Sequence, residues 1–298
     1  MSFASNVKAE MCRPTVGKKC CAVAECFGVL LFGNTFSASL IKIVTENPDF
    51  ADRLPKLFKR AFHLSFDITP MEQGTGKFVF QITDPEKIAA VFDAFGFSVR
   101  HSVALHINYG ILEDACCRTA FVRGAFLAGG SVTDPEKRYH LELTTTHQKV
   151  AREMDALLLD MDYEAKLTGR GGSTVLYFKQ SEIIADFLTL LGAPVCAMDV
   201  MQAKMEKDLR NGVNRRVNCE TANLTKVVDA AQEQIAAIRH LEQQGLLQTL
   251  PEKLRQSAQL RMDNPEATLQ ELADMMTPPV SKSAMNHRMR KLLQLAKG

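Results

Sequence analysis

The sequence predicts an α+β protein: a duplicated unit with pseudo-two-fold symmetry in the first two hundred residues, followed by an all-α domain. Three observations predict it. The apolar stretch AFVRGAFLAGGSV (120–132) carries small residues at Gly124, Ala128, Gly129 and Gly130. Read as a helix, one flank has almost no side chain, so a second helix backbone can approach closely. A counterpart stands upstream at a constant offset of 96 residues: Cys20-Cys21 precede Gly28 and Gly33 as Cys116-Cys117 precede Gly124 and Gly129. The correspondence slips by four where Ile41-Lys42-Ile43 meets Leu141-Glu142-Leu143. It returns to 96 where Ile88, Phe92 and Gly96 meet Ile184, Leu188 and Gly192. Two copies are too few for a solenoid, so the glycine-bearing helices pair side by side. Beyond residue 203, finally, the charge changes sign, and from Thr221 the periodicity is helical.

The 298 residues are 46% hydrophobic and 23% charged, enough to bury a full core in two or three units. MSFASNVKAEMCR has no apolar run before its charges, and no stretch approaches the roughly 18 apolar residues of a membrane span. A cytoplasmic protein is therefore expected. The eight cysteines, at 12, 20, 21, 26, 116, 117, 196 and 219, include no C-x-x-C pair. They read as small buried hydrophobes in a reduced protein, with metal or redox use as the alternative. No cofactor and no metal site is read. Residues 1–203 hold 21 Lys+Arg against 23 Asp+Glu, giving −2, whereas 204–298 hold 15 against 11, giving +4. A polyanion partner would thus meet the C-terminal third.

Each copy reads as apolar helix, strand, helix, strand, helix. In the first, 40–45 is β-rich, 52–62 is helical in period, 77–83 alternates, and 85–95 is helical with Asp84 as N-cap. In the second, 139–146 and 174–178 read as strands, 148–159 and 181–191 as helices. Gly169-Arg170-Gly171-Gly172-Ser173 lacks the Lys-Ser/Thr of a phosphate loop and leads into a strand, so it reads as a hairpin tip. Residues 198–209 are polar and helical. The segment 210–223, with three Arg and four Asn, reads as a connection.

From Thr221 a helical face carries Leu224, Val227, Val228, Ala231, Ile235 and Ile238, ending near Gly245. Pro251 starts a helix with Leu254 and Ala258 inward, which stops at Asn264-Pro265. Thr268-Leu-Gln-Glu271 is a capping box for a short helix. After Thr277-Pro-Pro-Val280 a final helix buries Met285, Met289, Leu292, Leu293 and Ala296. The domain boundaries expected are 1–97 and 98–205 for the two halves, 206–223 for a linker and 224–298 for the C-terminal domain.

A short capped helix, a tight turn and a second helix form a helix-turn-helix, whose second helix enters the major groove of double-stranded DNA. From Met275 onward there is no Asp or Glu, while Lys282, Arg288, Arg290, Lys291 and Lys297 are present. Lys282, Asn286 and Arg290 repeat at i, i+4 and i+8 opposite the apolar face. Lys and Arg suit guanine and Asn suits adenine, because each can satisfy two edge atoms. Lys282, Ser283, Asn286, His287 and Arg290 are assigned to base edges, Arg288 and Lys291 to phosphates.

GAFLAGGSV (124–132), RVNCETANLTK (216–226) and PPVSKSAMNHRMRKL (278–292) together resemble the bacterial WhiA family, which joins a LAGLIDADG homing-endonuclease-like domain to a C-terminal helix-turn-helix. The resemblance covers nearly the whole chain; Ala284 stands where the family pattern has glycine. It implies a DNA-binding regulator, nucleoid-associated, linked to cell division and chromosome segregation and, in sporulating bacteria, to sporulation. It also implies a nuclease ancestor. Such a nuclease needs a metal-holding carboxylate near the end of each glycine-rich helix, and those positions fall on Gly33 and Gly129. Asp134 and Glu136 have no upstream counterpart, so no catalytic residue is assigned and no enzyme is expected. A nuclease sheet face should be basic; Lys42, Lys77, Lys166, Arg170 and Lys179 are candidates for a local patch. The domain is expected instead as a platform for a regulatory protein partner. A cleaving endonuclease and a protein-interaction scaffold are the alternatives.

Overall fold

A computed structural model describes residues 2–70, 76–98 and 104–297, which divide into two compact units, Met1–Lys207 and Asp208–Gly298. The first copy runs α1 (Phe3–Cys12), α2 (Lys19–Phe32), β1 (Thr35–Phe36), β2 (Ile41–Thr45), α3 (Pro48–Phe62), β3 (Phe78–Ile82) and α4 (Pro85–Ala94). The second runs α5 (Ala115–Gly129), β4 (Gly130–Val132), β5 (Leu141–Thr145), α6 (Gln148–Asp160), β6 (Lys166–Arg170), β7 (Ser173–Phe178) and α7 (Ser181–Leu191). After them come α8 (Pro194–Gln243), α9 (Glu252–Asp263), α10 (Leu269–Asp274) and α11 (Lys282–Lys297).

The offset of 96 recovers α2 and α5, β3 and β7, and α4 and α7; the offset of 100 recovers β2 and β5. The sheets are antiparallel, in the orders β1-β2-β3 and β4-β5-β7-β6. Ile41 pairs with Ile82 as Leu141 pairs with Phe178. An isolated bridge from Ile68 to Gln81 takes the place in the first sheet that β6 holds in the second. Alternation puts Ile41, Ile43, Leu141 and Leu143 into the core and leaves Lys42 and Glu142 on the other face.

The centre of this unit is the contact between α2 and α5, which needs two residues without side chains. A Cβ on Gly28 would stand 2.0 Å from the Phe121 carbonyl oxygen, and one on Gly124 the same distance from that of Glu25. Both α2 and α5 are apolar on nearly every side, as expected of helices surrounded by protein. Phe27 stacks on Phe95 at 4.5 Å and packs against Phe121 at 5.4 Å. The charges within this core are paired: Arg53 grips Glu25 through Nε–Oε1 at 2.6 Å and Nη2–Oε2 at 2.9 Å, and also donates to the Pro14 carbonyl at 2.6 Å.

Several boundaries differ from expectation. The helix over 120–132 ends at Gly129, and Gly130–Val132 pairs with β5. Helix α1 was not anticipated, although Ser2 caps it and Val7 and Met11 bury one side. Its Glu10 carboxylate accepts from the Val195 and Cys196 amides at 2.8 and 2.9 Å, capping α8 from a distance.

Residues 206–223, expected as a linker, lie inside α8. Four asparagines weaken a helix by a few tenths of a kcal/mol each, but helix already formed on both sides removes the nucleation cost. Every residue from 208 to 230 is exposed, which is why no amphipathic period marks the segment. Leu224, Val227 and Val228 are therefore exposed rather than inward; the second core takes up this face only from Ala231. The boundary expected at 97/98 borders residues 99–103, outside the described residues.

Candidate nucleic-acid interface

The second unit is built to hold α11. Thr268 and Glu271 make the reciprocal capping box that starts α10, and the Ala273 carbonyl accepts from the Val280 amide at 3.0 Å, closing the turn. Ser281 Oγ accepts from the Ala284 amide at 3.2 Å, which fixes where α11 begins. Met285, Met289 and Leu292, at i, i+4 and i+7, are buried with Leu254, Ala258, Leu272, Ala273 and Met276. Leu293 and Ala296 are half-buried.

That packing dictates which side chains face out. Lys282, Ser283, His287, Arg290 and Lys291 are exposed, and Asn286 is half-buried at the seam. The i, i+4, i+8 row of Lys282, Asn286 and Arg290 thus flanks an open helix face that carries cations and no carboxylate. Arg288 behaves differently: it is half-buried and donates from Nη1 to Ser257 Oγ at 3.3 Å, bracing α11 against α9.

The sequence reading missed Arg261, the largest fully buried side chain. It donates to Gln234 Oε1 at 3.0 Å and to the Ala267 carbonyl at 2.6 Å, tying α8 to the turn before α10. Burial pulls its pKa below the usual arginine range. Its signal was positional, since it follows Leu254 and Ala258 at i+7 and i+3 on the inward face of α9.

In the first unit, Gly129 ends α5 against backbone: a Cβ there would lie 2.5 Å from the Thr144 oxygen and 2.9 Å from that of Phe32. A nearby cleft of roughly 500 Å³ is lined by Lys8, Asn34, Glu46, Asn47, Lys77 and Ser131, among others. Burial lowers the Lys8 ammonium to about 8, and the Glu46 carboxylate pairs with Lys77 at 3.6 Å. On the sheets, Arg170 pairs with Glu142 at 3.3 Å and Lys179 lies over the Tyr177 ring at 5.1 Å. Of the five candidate patch cations, Lys77 and Arg170 are thus matched by carboxylates.

Residues 118–210 match the WhiA LAGLIDADG-like domain and residues 213–296 the WhiA C-terminal HTH domain. The "Probable cell division protein WhiA" of Alkaliphilus metalliredigens is 38% identical across 99% of this chain and 98% of its own length. The chain belongs to the WhiA family. A second WhiA, from Ruminiclostridium cellulolyticum, is 39% identical over 99% of this chain and 97% of its own. The crystal structure of full-length DUF199/WhiA from Thermatoga maritima shares the fold, with a TM-score of 0.61 at 22% identity over 100% of this chain and 98% of that one. The N-terminal LAGLIDADG domain of DUF199/WhiA matches 64% of this chain and 92% of its own, with a TM-score of 0.51 at 20% identity. The duplicated unit described above is therefore the WhiA LAGLIDADG-like domain, and α9–α11 belong to its helix-turn-helix.

Proposed function

We propose that the protein is a sequence-specific regulator that binds double-stranded DNA through α11 and acts in cell division and chromosome segregation and, where the organism sporulates, in sporulation. The observation that carries this reading is the open face of α11, where Lys282, Ser283, His287 and Arg290 stand clear of the core, with Asn286 at its edge and no acid among them. Lys291 serves the phosphates, and Arg288 holds the helix in place. The family's curated members named above as cell division proteins support the process assigned.

The nuclease-like unit is proposed to have lost cleavage. Neither Gly33 nor Gly129 offers a side-chain carboxylate, and the crowding at Gly129 leaves no room for one. Its acidic balance and paired sheet cations fit a platform for a regulatory protein partner. Supercoiled DNA incubated with the protein and Mg²⁺ is expected to stay intact; nicking that chelator abolishes would restore the endonuclease reading. Among the described residues no helix is long and apolar enough to cross a membrane, and a cytoplasmic, nucleoid-associated location is proposed with the DNA-binding role.

Arg290→Ala should relax base preference by about 1–3 kcal/mol at one position, whereas Lys291→Ala should weaken all sequences alike and reduce the salt slope by roughly 1. Binding to an array of single-base operator variants at two salt concentrations distinguishes them. Equal loss of specificity from both would contradict these roles.

A further inference from the structure

The pairing of α2 with α5 has a second consequence at the opposite end from Gly33 and Gly129. The helices run in parallel, so the vicinal pairs Cys20-Cys21 and Cys116-Cys117, each in a first helical turn, meet. The sulfurs of Cys20, Cys21 and Cys117 all lie within 4.8 Å of one another. Those of Cys116 and Cys117 lie within the same distance of each other and of an Asp114 carboxylate oxygen. Cys117 belongs to both sets and so links all four thiols, two from each copy.

We propose that Cys20, Cys21, Cys116 and Cys117 form a tetrathiolate site for a single thiophilic divalent cation of the zinc class, joining the two halves of the domain. A tetrahedral zinc with bonds of about 2.3 Å sets its sulfurs about 3.8 Å apart; Cys20, Cys21 and Cys117 already lie near that spacing, and a side-chain rotation of the exposed Cys116 brings in the fourth. This spacing suits one ion rather than a multi-iron cluster, whose cysteines stand further apart. Adjacent residues on a helix diverge by about 100°, so each pair supplies two corners of the tetrahedron and the pseudo-two-fold brings the two pairs together.

The electrostatics agree. Burial and the neighbouring thiols push Cys21 up to about 11 and Cys117 well above the usual thiol range. Those protons are what a bound cation would displace. Excess thiolate charge faces two helix N-termini, where amides and the positive dipole end favour anions, and Lys18, Lys19 and Arg118 flank the group in sequence. Soft sulfur ligands at this end are unrelated to the oxygen-ligated magnesium of nuclease chemistry, so the site stands or falls independently of the DNA reading.

The test uses the full chain purified under reducing conditions, with metal content measured directly and Co²⁺ as the spectroscopic probe. About one zinc per chain is expected, and Co²⁺ added to chelator-stripped protein should give the thiolate-to-metal and visible bands of a tetrahedral site, erased by an equivalent of Zn²⁺. Cys20 and Cys116 are exposed, so the double variant C20S/C116S should keep its circular dichroism and lose the Co²⁺ spectrum. Cys219→Ser, an exposed cysteine on α8, should change nothing. Wild-type protein that develops no more Co²⁺ absorption than the double variant would overturn the proposal. So would disulfide-linked thiols in freshly reduced protein, or iron with acid-labile sulfide in place of zinc.

Discussion

Gly124→Ala is expected to cost the protein at least about 3 kcal/mol. The new methyl would stand 2.0 Å from the Glu25 oxygen and 3.1 Å from the Val29 amide nitrogen. Both are backbone atoms of a buried helix that no rotamer change can move aside. The helices must separate along their whole contact, loosening Phe27 from Phe121 and opening voids in a core that is otherwise closely packed. For a unit of this size the melting temperature should fall by roughly 10 °C, read by calorimetry on the full chain. Gly212→Ala is the matched control: it lies on exposed helix with nothing within 4 Å of the added carbon. There alanine should be neutral or stabilise by up to about 1 kcal/mol. Equal behaviour of the two variants would mean that the α2–α5 contact is looser than described.

A comparable loss is expected from Glu25→Ala, for a different reason. Glu25 and Arg53 are 3% and 4% exposed, and their bidentate contact is supplemented by Arg123 at 3.7 Å from the same carboxylate. Removing the acid leaves two guanidinium groups beside each other in the core, at a cost of about 3–5 kcal/mol. The informative experiment is the cycle with Arg53→Leu. If the ion pair is the cause, Glu25→Leu with Arg53→Leu should be less destabilising than either single change. Additive losses in chemical denaturation would point instead to simple packing at each position.

What the sequence showed and what it hid follow from the same physics. The glycine offset between Gly28 and Gly124 was readable because only small residues permit helices to touch, and the hairpin at 171–172 because a strand followed it. The capping box at Thr268 and Glu271 was readable because it is a local exchange of hydrogen bonds. That the connecting segment 206–223 is helical stayed hidden because an exposed helix has no buried stripe to reveal it. Glu25 sits as the lone acid in a largely apolar helix, yet its partner Arg53 is 28 residues away, and no local pattern joins them. Arg288 was assigned to phosphates from its place on α11; its bond from Nη1 to Ser257 on α9 was not legible in the sequence, because it depends on how the two helices pack. The four cysteines read as small buried hydrophobes, but only Cys117 is buried and Cys20 and Cys116 are exposed; their convergence emerged only once the two copies were set side by side.

The division of labour between a reading helix and a non-cutting scaffold is tested most directly by one binding titration. Lys282, Arg290 and Lys291 are all exposed, so the triple glutamine variant should keep its fold. Its affinity for a footprinted genomic fragment at moderate salt should fall roughly a hundredfold, with a salt slope shallower by about 1 than that of the wild type, the share of Lys291. Undiminished affinity with an unchanged slope would place the DNA contacts elsewhere on the protein and contradict the account.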